Sequence, residues 1–444
     1  MKQAASVVPS QRQIEWFDLE FYAFVHFSPN TYTNLEWGLG SEDPAMFNPT
    51  DLDCDSWVEA VKSAGMRGII ITAKHHDGFC LWQTETTAHS VKSSPWKKGK
   101  GDVVRELADA CRRGGIKFGF YLSPWDRNSI LYGTDEYNDF YRSQLTELLT
   151  GYGEVFEVWF DGACGEGPNG RRQEYDFDSY IDLIRKYQPN ACIFNDHGPD
   201  IRWCGNEGGH ARNAEWSVVP RELCYRRTKA QTSAGPLKGN LSYLYNSLDE
   251  IGSLHTILYT EGLVFAGSEI DMSIRPGWFY HANEEPHSLD RLLKTYLTSV
   301  GGNANFLLNI PPMPNGLFDQ RDISRLKELG DAIRECFGKP VTASAKIEKA
   351  ETSGSDTQCF YNISFNKPHD IKYVSLVEDI SLGQRVSGFL IQRKDWQGGW
   401  DTVYEGTTIG HKKICPVNLK AISECRVYIT SARDTVKLKT IDLY

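Results

Sequence analysis

Eight short apolar runs, rich in β-branched and aromatic residues and spread over residues 20–310, constrain the fold more than any other feature of this chain. They are 21–27 (FYAFVHF), 68–73 (GIIITA), 117–122 (KFGFYL), 155–161 (VFEVWFD), 191–195 (ACIFN), 215–218 (EWSV), 263–271 and 306–310 (FLLNI). Stretches of helical period lie between them, the pattern of repeated βα units around a parallel sheet. Eight such units predict a (β/α)8 barrel of the TIM type. Segments 54–64 and 102–113 carry apolar positions three and four apart and run into Gly65 and Gly114, expected as helix-ending glycines. The sixth and seventh strands are the least sharply marked, because residues 221–262 are polar and loop-like.

After an amphipathic helix at 325–336 the texture changes across 338–344. Short strands follow at 358–365, 373–377, 386–391, 402–404 and 426–429, separated by Gly, Asn, Asp or Ser turns. Two domains are therefore expected: a catalytic barrel over residues 1–341 and a C-terminal all-β sandwich over 342–444. No run of about 18 apolar residues occurs, so no spanning helix is expected. With 48 Lys and Arg against 58 Asp and Glu, the net charge is −10. That balance argues against a nucleic acid or an anionic membrane as partner, since both demand a basic face. Twelve Trp and 21 Tyr suit a neutral polyol, on whose C–H faces aromatic rings stack. Eleven cysteines, an odd number with no CxxC pair, read as mostly free thiols.

In such a barrel the active site lies at the C-terminal ends of the strands, so the polar residues that close each run are the ones to inspect. The first run reaches His26 and then Glu36 and Trp37; the second leads to His75, His76 and Asp77; the third gives Tyr121, then Trp125 and Asp126. The fourth ends in Trp159 and Asp161, and the fifth in Asn195, Asp196 and His197. Asp161 closes the run VFEVWF and opens a Gly-rich loop, which suits a carboxylate at the barrel mouth; capping the next turn is the ordinary alternative. Trp159, two residues earlier, points the same way and is either a pocket wall or a core ring. Glycosidic cleavage needs a second carboxyl group. Glu207, flanked by glycines in 202–216 (RWCGNEGGHARNAEW), is preferred to Glu215, with Trp203 placed to shield it and raise its pKa. His75 and His76 are read as hydrogen-bonding groups for hydroxyls, with a metal site the competing reading. His26 and Glu36 are divided between substrate contact and loop bracing.

In order along residues 14–312, the segments YAFVHFSPNTYTNLEWG, ITAKHHDGFCLW, GIKFGFYLSPWDRN, EVWFDGA, RWCGNEGGHARNAEWS, SIRPGWFYH and GGNANFLLNIPP resemble the α-L-fucosidases of glycoside hydrolase family 29. The resemblance implies that Asp161, in the WFD motif, is the nucleophile and that Glu207, in RW-x-GNE, is the acid/base. It points to the branch acting on α-1,3 and α-1,4 fucosyl linkages of Lewis-type glycans, with retention by double displacement. His26, Glu36, Trp37, His75, His76 and Tyr121 would contact the fucose, Trp159 would face its C6 methyl, and Arg275 and Trp278 would lie near the site or its rim. Cys204 stands where that motif is expected to carry an aliphatic residue. The implied partner is a fucosylated oligosaccharide or glycoconjugate, and no metal or organic cofactor is implied. A periplasmic or extracellular location is expected, with a signal removed before Met1; a cytoplasmic one is the alternative. The competing functions are a broad-specificity α-L-fucosidase, a glycan-binding barrel without catalysis, and a metal-dependent hydrolase using His26, His75 and His76.

Overall fold

The first apolar run forms β1 (Phe21–Val25), every residue of which is buried, because a strand in a parallel barrel is covered on both faces. It is followed by β2 (Gly68–Lys74), β3 (Lys117–Leu122), β4 (Glu157–Trp159), β5 (Cys192–Asn195) and β6 (Ile201–Trp203). Next come β7 (Val218–Pro220), β8 (Leu263–Phe265), β9 (Gly267–Ser273) and β10 (Ala304–Asn309). Eight of these close a parallel barrel in the order β1-β10-β9-β6-β5-β4-β3-β2. This computed structural model describes residues 2–195, 198–221, 250–258, 260, 262–352 and 357–444. Asp196, His197 and most of the polar 221–262 stretch thus lie outside the described residues.

Two expectations about the barrel are corrected. The sixth strand is Ile201–Trp203 and not 215–218, whose Val218 instead begins β7, paired antiparallel with β8 in a separate two-stranded ribbon. Glu215 is buried because it accepts from Arg202 at 2.6 Å and pairs with Arg212 at 3.3 Å, an ion-pair cluster outside the strand ladder. The run at 263–271 also divides. Its first three residues belong to the ribbon, Ala266 donates to the Ser217 carbonyl, and only from Gly267 does it join the barrel.

The flanking helices follow the sequence signals. Asp53 caps the helix Cys54–Ser63 by accepting from the Asp55 and Ser56 amides, and Asp102 caps Val103–Gly114 through the Arg105 amide. The helix-ending glycine of the second is Gly115, at φ +69°. Gly114 serves packing instead, since a Cβ there would lie 2.3 Å from Cγ1 of Val58 on the neighbouring helix.

Beyond the helix Gln320–Phe337 the chain is antiparallel: β11 (Ala345–Glu351), β12 (Cys359–Glu378), β13 (Val386–Lys394), β14 (Trp400–Gly406), β15 (Lys413–Ala432) and β16 (Leu438–Leu443). Two of the strands read separately from sequence, 358–365 and 373–377, are the halves of the twenty-residue β12, which shifts register against β15 between Ser364 and Tyr373. Such irregularities bend a strand, and one apolar core, including Ile363, Leu376, Phe389, Val427 and Leu443, runs along the sheet. It is tied to the barrel by Glu20, which takes an ion pair from Lys412 and lies 3.7 Å from His411. Asn303, in the GGNAN turn, adds a second tie: it accepts from the His411 amide at 2.6 Å and donates to the Glu215 carbonyl.

Candidate active site

The strand-end residues converge. A cavity of about 150 Å³ at the C-terminal mouth of the barrel is lined by His26, Glu36, Trp37, His75, His76, Tyr121, Trp159, Asp161, Glu207 and Trp278, with Phe24, Ala163 and Asp271 completing it. All ten carry a catalytic or sugar-contacting role, or a place at the rim, in the sequence reading; Asp77, Trp125, Asp126 and Asn195, which also close or follow apolar runs, do not line the cavity. The size suits one sugar ring, well below the ~300–1,000 Å³ typical of drug-sized sites.

Asp161 leaves the end of β4 with both oxygens occupied. Oδ1 accepts from the Ala163 amide at 2.7 Å and Oδ2 from the Tyr121 hydroxyl at 3.1 Å. Burial and the Asp161 charge push the Tyr121 phenol well above its usual pKa, so it remains a donor to that carboxylate. Glu207 projects from the Gly-rich loop after β6, where its Oε2 accepts from the Trp278 indole at 3.1 Å. Desolvation raises its pKa; the Trp278 hydrogen bond opposes this, while the negative charges of Asp161 and Glu36 add to it. One carboxylate is thus held by donors and the other is biased toward its protonated form, the division of labour glycosidic cleavage requires. Trp203, expected to shield Glu207, points elsewhere: its indole donates to Asp271 at 3.0 Å. The indole that reaches Glu207 is that of Trp278.

The histidines are buried and neutral. Burial brings His26 down to about 3, and lowers His75 and His76 as well. Asn309 donates through Nδ2 to Ser273 Oγ and the Trp278 carbonyl, so its Oδ1 faces His26 and takes both the His26 amide and Nδ1–H, the latter at 2.8 Å. That fixes the tautomer and leaves the His26 Nε2 as an acceptor. Ser123 works alike on His76: its hydroxyl donates to the Trp125 carbonyl and therefore accepts from His76 Nδ1, leaving Nε2, 3.8 Å from Asp161, with the lone pair. Among the described residues no group of three His, Cys, Asp or Glu could hold a metal ion. Behind these loops the buried Lys74 pairs with Asp126 at 3.1 Å and donates to Gln144, joining the ends of β2 and β3.

Trp159 combines both readings. Its ring stacks on Phe194 at 4.0 Å and its indole donates to the buried Glu269 at 2.8 Å, yet it still walls the cavity. Glu36 is chiefly a loop clamp: it accepts from the Trp278 and Phe279 amides and lies 2.6 Å from His281 Nε2, holding the Trp278 loop over β1. Arg275 is fully buried on Asp322 and braces that same loop from behind, without reaching the cavity. Asp271 was missed by sequence reasoning, although it ends the seventh apolar run and the rule that selected the other strand-end residues applies to it equally.

Comparison with known proteins gives the family. The family model for α-L-fucosidase matches residues 4–335. The chain belongs to the α-L-fucosidase family. It is 38% identical to "Alpha-L-fucosidase 1" of Arabidopsis thaliana over 98% of this chain and 87% of the relative. A glycoside hydrolase 29 family member from an unknown rumen bacterium superposes with a TM-score of 0.85 at 40% identity, covering 99% of this chain and 77% of that one. A Ruminococcus gnavus GH29 fucosidase, solved in complex with fucose, superposes with a TM-score of 0.84 at 29% identity over 99% and 95% of the two chains. Barrel and antiparallel sheet alike are thus those of α-L-fucosidases, and the protein is a glycoside hydrolase of that kind.

Proposed function

We propose that the protein is an exo-acting, retaining α-L-fucosidase that removes terminal α-1,3/1,4-linked L-fucose from branched, Lewis-type glycans. The observation that carries this is a one-sugar cavity lined by two carboxyl groups, Asp161, held by the Ala163 amide and the Tyr121 hydroxyl, and Glu207, whose pKa desolvation raises. Asp161 attacks the anomeric carbon as Glu207 delivers its proton to the leaving oxygen. The C–O bond of the glycoside breaks and a fucosyl–Asp161 ester forms. Water, deprotonated by Glu207, then attacks the ester and returns Asp161 as a carboxylate. His26 and His76 accept from sugar hydroxyls through their free Nε2 atoms. Trp159 faces the C6 methyl, whose burial contributes about 1 kcal/mol.

The linkage preference rests on the RW-x-GNE segment, with Glu207 on the loop after β6 and Trp278 beside it at the rim where an aglycone sugar would lie. Comparing fucose release from a Lewis-type trisaccharide, an α-1,2-fucosylated glycan and 4-nitrophenyl fucoside tests it. The proposal expects the highest kcat/KM on the Lewis trisaccharide. Equal or faster turnover of the α-1,2 glycan would replace it with a broad-specificity enzyme, and no fucose release from any of the three would reject the activity.

A further inference from the structure

Strand β9 carries two inward carboxyl groups two residues apart, Glu269 and Asp271, both on the barrel-facing side because side chains alternate along a strand. The first lies under the site and holds the Trp159 indole. The second sits one step nearer the mouth and lines the sugar cavity beside Glu207 and Asp161, while only 3% exposed. Its Oδ1 accepts from the Trp203 indole at 3.0 Å. No side chain of another described residue bonds Oδ2. Nothing in the catalytic steps above uses this group.

We propose that Asp271 is a further substrate-binding residue of this cavity, its free oxygen donating a hydrogen bond to a hydroxyl of the fucosyl ring. The proposal rests on the fucosidase reading of the same site. A carboxyl group out of water, with one neutral donor, is costly to keep ionised. Burial first, and then the charges of Glu207 and Glu269, hold Asp271 well above the usual carboxylate range. Protonated, the group has one O–H to give. Oδ1 is already taken as an acceptor by Trp203, so the O–H falls on Oδ2, toward the cavity. That matters because the other polar groups there are mostly acceptors: Asp161, and the Nε2 atoms of neutral His26 and His76. The donors Tyr121 and Trp278 are already engaged by Asp161 and Glu207. A polyol offers each hydroxyl both as donor and as acceptor, and Asp271 adds a donor to the few left unengaged there, the single N–H of neutral His75 and the Trp37 indole. The main chain of Asp271 has a separate task, since its carbonyl accepts from Gly209 at 3.2 Å and ties down the Glu207 loop. A side-chain substitution leaves that bond in place.

The experiment compares kcat/KM of wild type, Asp271→Ala and Asp271→Asn on 4-nitrophenyl α-L-fucoside and on its 2-, 3- and 4-deoxy analogues. Alanine is expected to lose about tenfold to a hundredfold on the parent fucoside, as for an unsatisfied hydrogen bond. Asparagine keeps an acceptor for Trp203 and turns an N–H toward the sugar, so it should recover most of that loss. On one deoxy analogue the alanine loss should shrink to less than about threefold. A loss of equal size on the parent and all three analogues would mean that Asp271 only supports Trp203, and would overturn the proposal. So would an Asn variant as impaired as Ala, which would require an ionised group. If the alanine variant does not fold, Asp271→Leu fills the same volume and takes its place in the comparison. Wild-type enzyme that releases no fucose from either the parent fucoside or a Lewis-type trisaccharide would instead reject the fucosidase reading itself.

Discussion

Replacing Trp278 by Phe removes the indole N–H that donates to Glu207 at 3.1 Å and keeps an aromatic ring at the rim. That hydrogen bond favours the ionised form of Glu207, against the desolvation that raises its pKa. Its loss must move the pKa further up. A hydrogen bond to a charged group contributes about 1.5–3 kcal/mol where it is buried; on this rim, open to solvent, screening reduces it to about 1 kcal/mol. Since 1.36 kcal/mol corresponds to one pKa unit, the shift is about 0.5–1 unit. Glu207 must be protonated to expel an alkoxide, so its titration sets the alkaline limb of kcat/KM in the free enzyme. The assay is fucose release from a Lewis-type trisaccharide across pH, with each profile normalised to its own maximum so that lost stacking drops out. The alkaline limb of Trp278→Phe should lie about 0.5–1 pH unit above that of wild type. A limb that stays in place or moves down would refute the assignment of Glu207 as the acid.

Other consequences follow from the same geometry. Asp161→Ala should bring turnover below about a thousandth of wild type without lowering the melting temperature, as for a residue whose removal stops a concerted site. Glu207→Ala should spare 4-nitrophenyl fucoside, whose leaving group needs no proton, far more than a Lewis glycan, as parallel initial rates would reveal. Exhaustive EDTA treatment should leave kcat/KM unchanged, and a loss restored by added zinc would revive the metal-hydrolase reading. Glu20 is raised by burial but more strongly lowered by His411 and Lys412, to about 2. A carboxylate depressed on folding stabilises above its unfolded pKa, and that contribution disappears as pH falls through the folded value. Glu20→Gln should therefore cost up to about 3 kcal/mol at pH 7 in denaturant titrations, with the gap to wild type closing as pH falls from about 4.5 toward 2.

Much of this site was legible in the sequence because a barrel delivers its strand ends to one place. His26, His75, Tyr121, Trp159 and Asp161 each terminate an apolar run, and the topology alone brings them together. Glu207 and Trp278 sit on loops; only the motifs around them marked them out. The sixth strand escaped because Ile201–Trp203 is three residues long with Arg202 at its centre, whereas the longer apolar signal at Val218 belongs to a ribbon beside the barrel. The clamp role of Glu36 depends on amides more than 240 residues away, a pairing no local pattern encodes. Buried Glu157 and Glu269 were invisible for the same reason. Their hydrogen-bonding partners are Trp16 and Trp159, drawn from distant segments of the chain, and a carboxyl inside an apolar run carries no mark of its own until they are in place.

Trapping the covalent intermediate is the most direct measurement of the whole account. Incubation with a 2-deoxy-2-fluoro-fucosyl fluoride, whose fluorine slows hydrolysis of the ester, should add one fluorofucosyl unit to the intact mass. Peptide mapping should place it on Asp161. An adduct on Asp271 or Glu207, or steady hydrolysis of this reagent with the anomeric configuration inverted and no adduct formed, would contradict it.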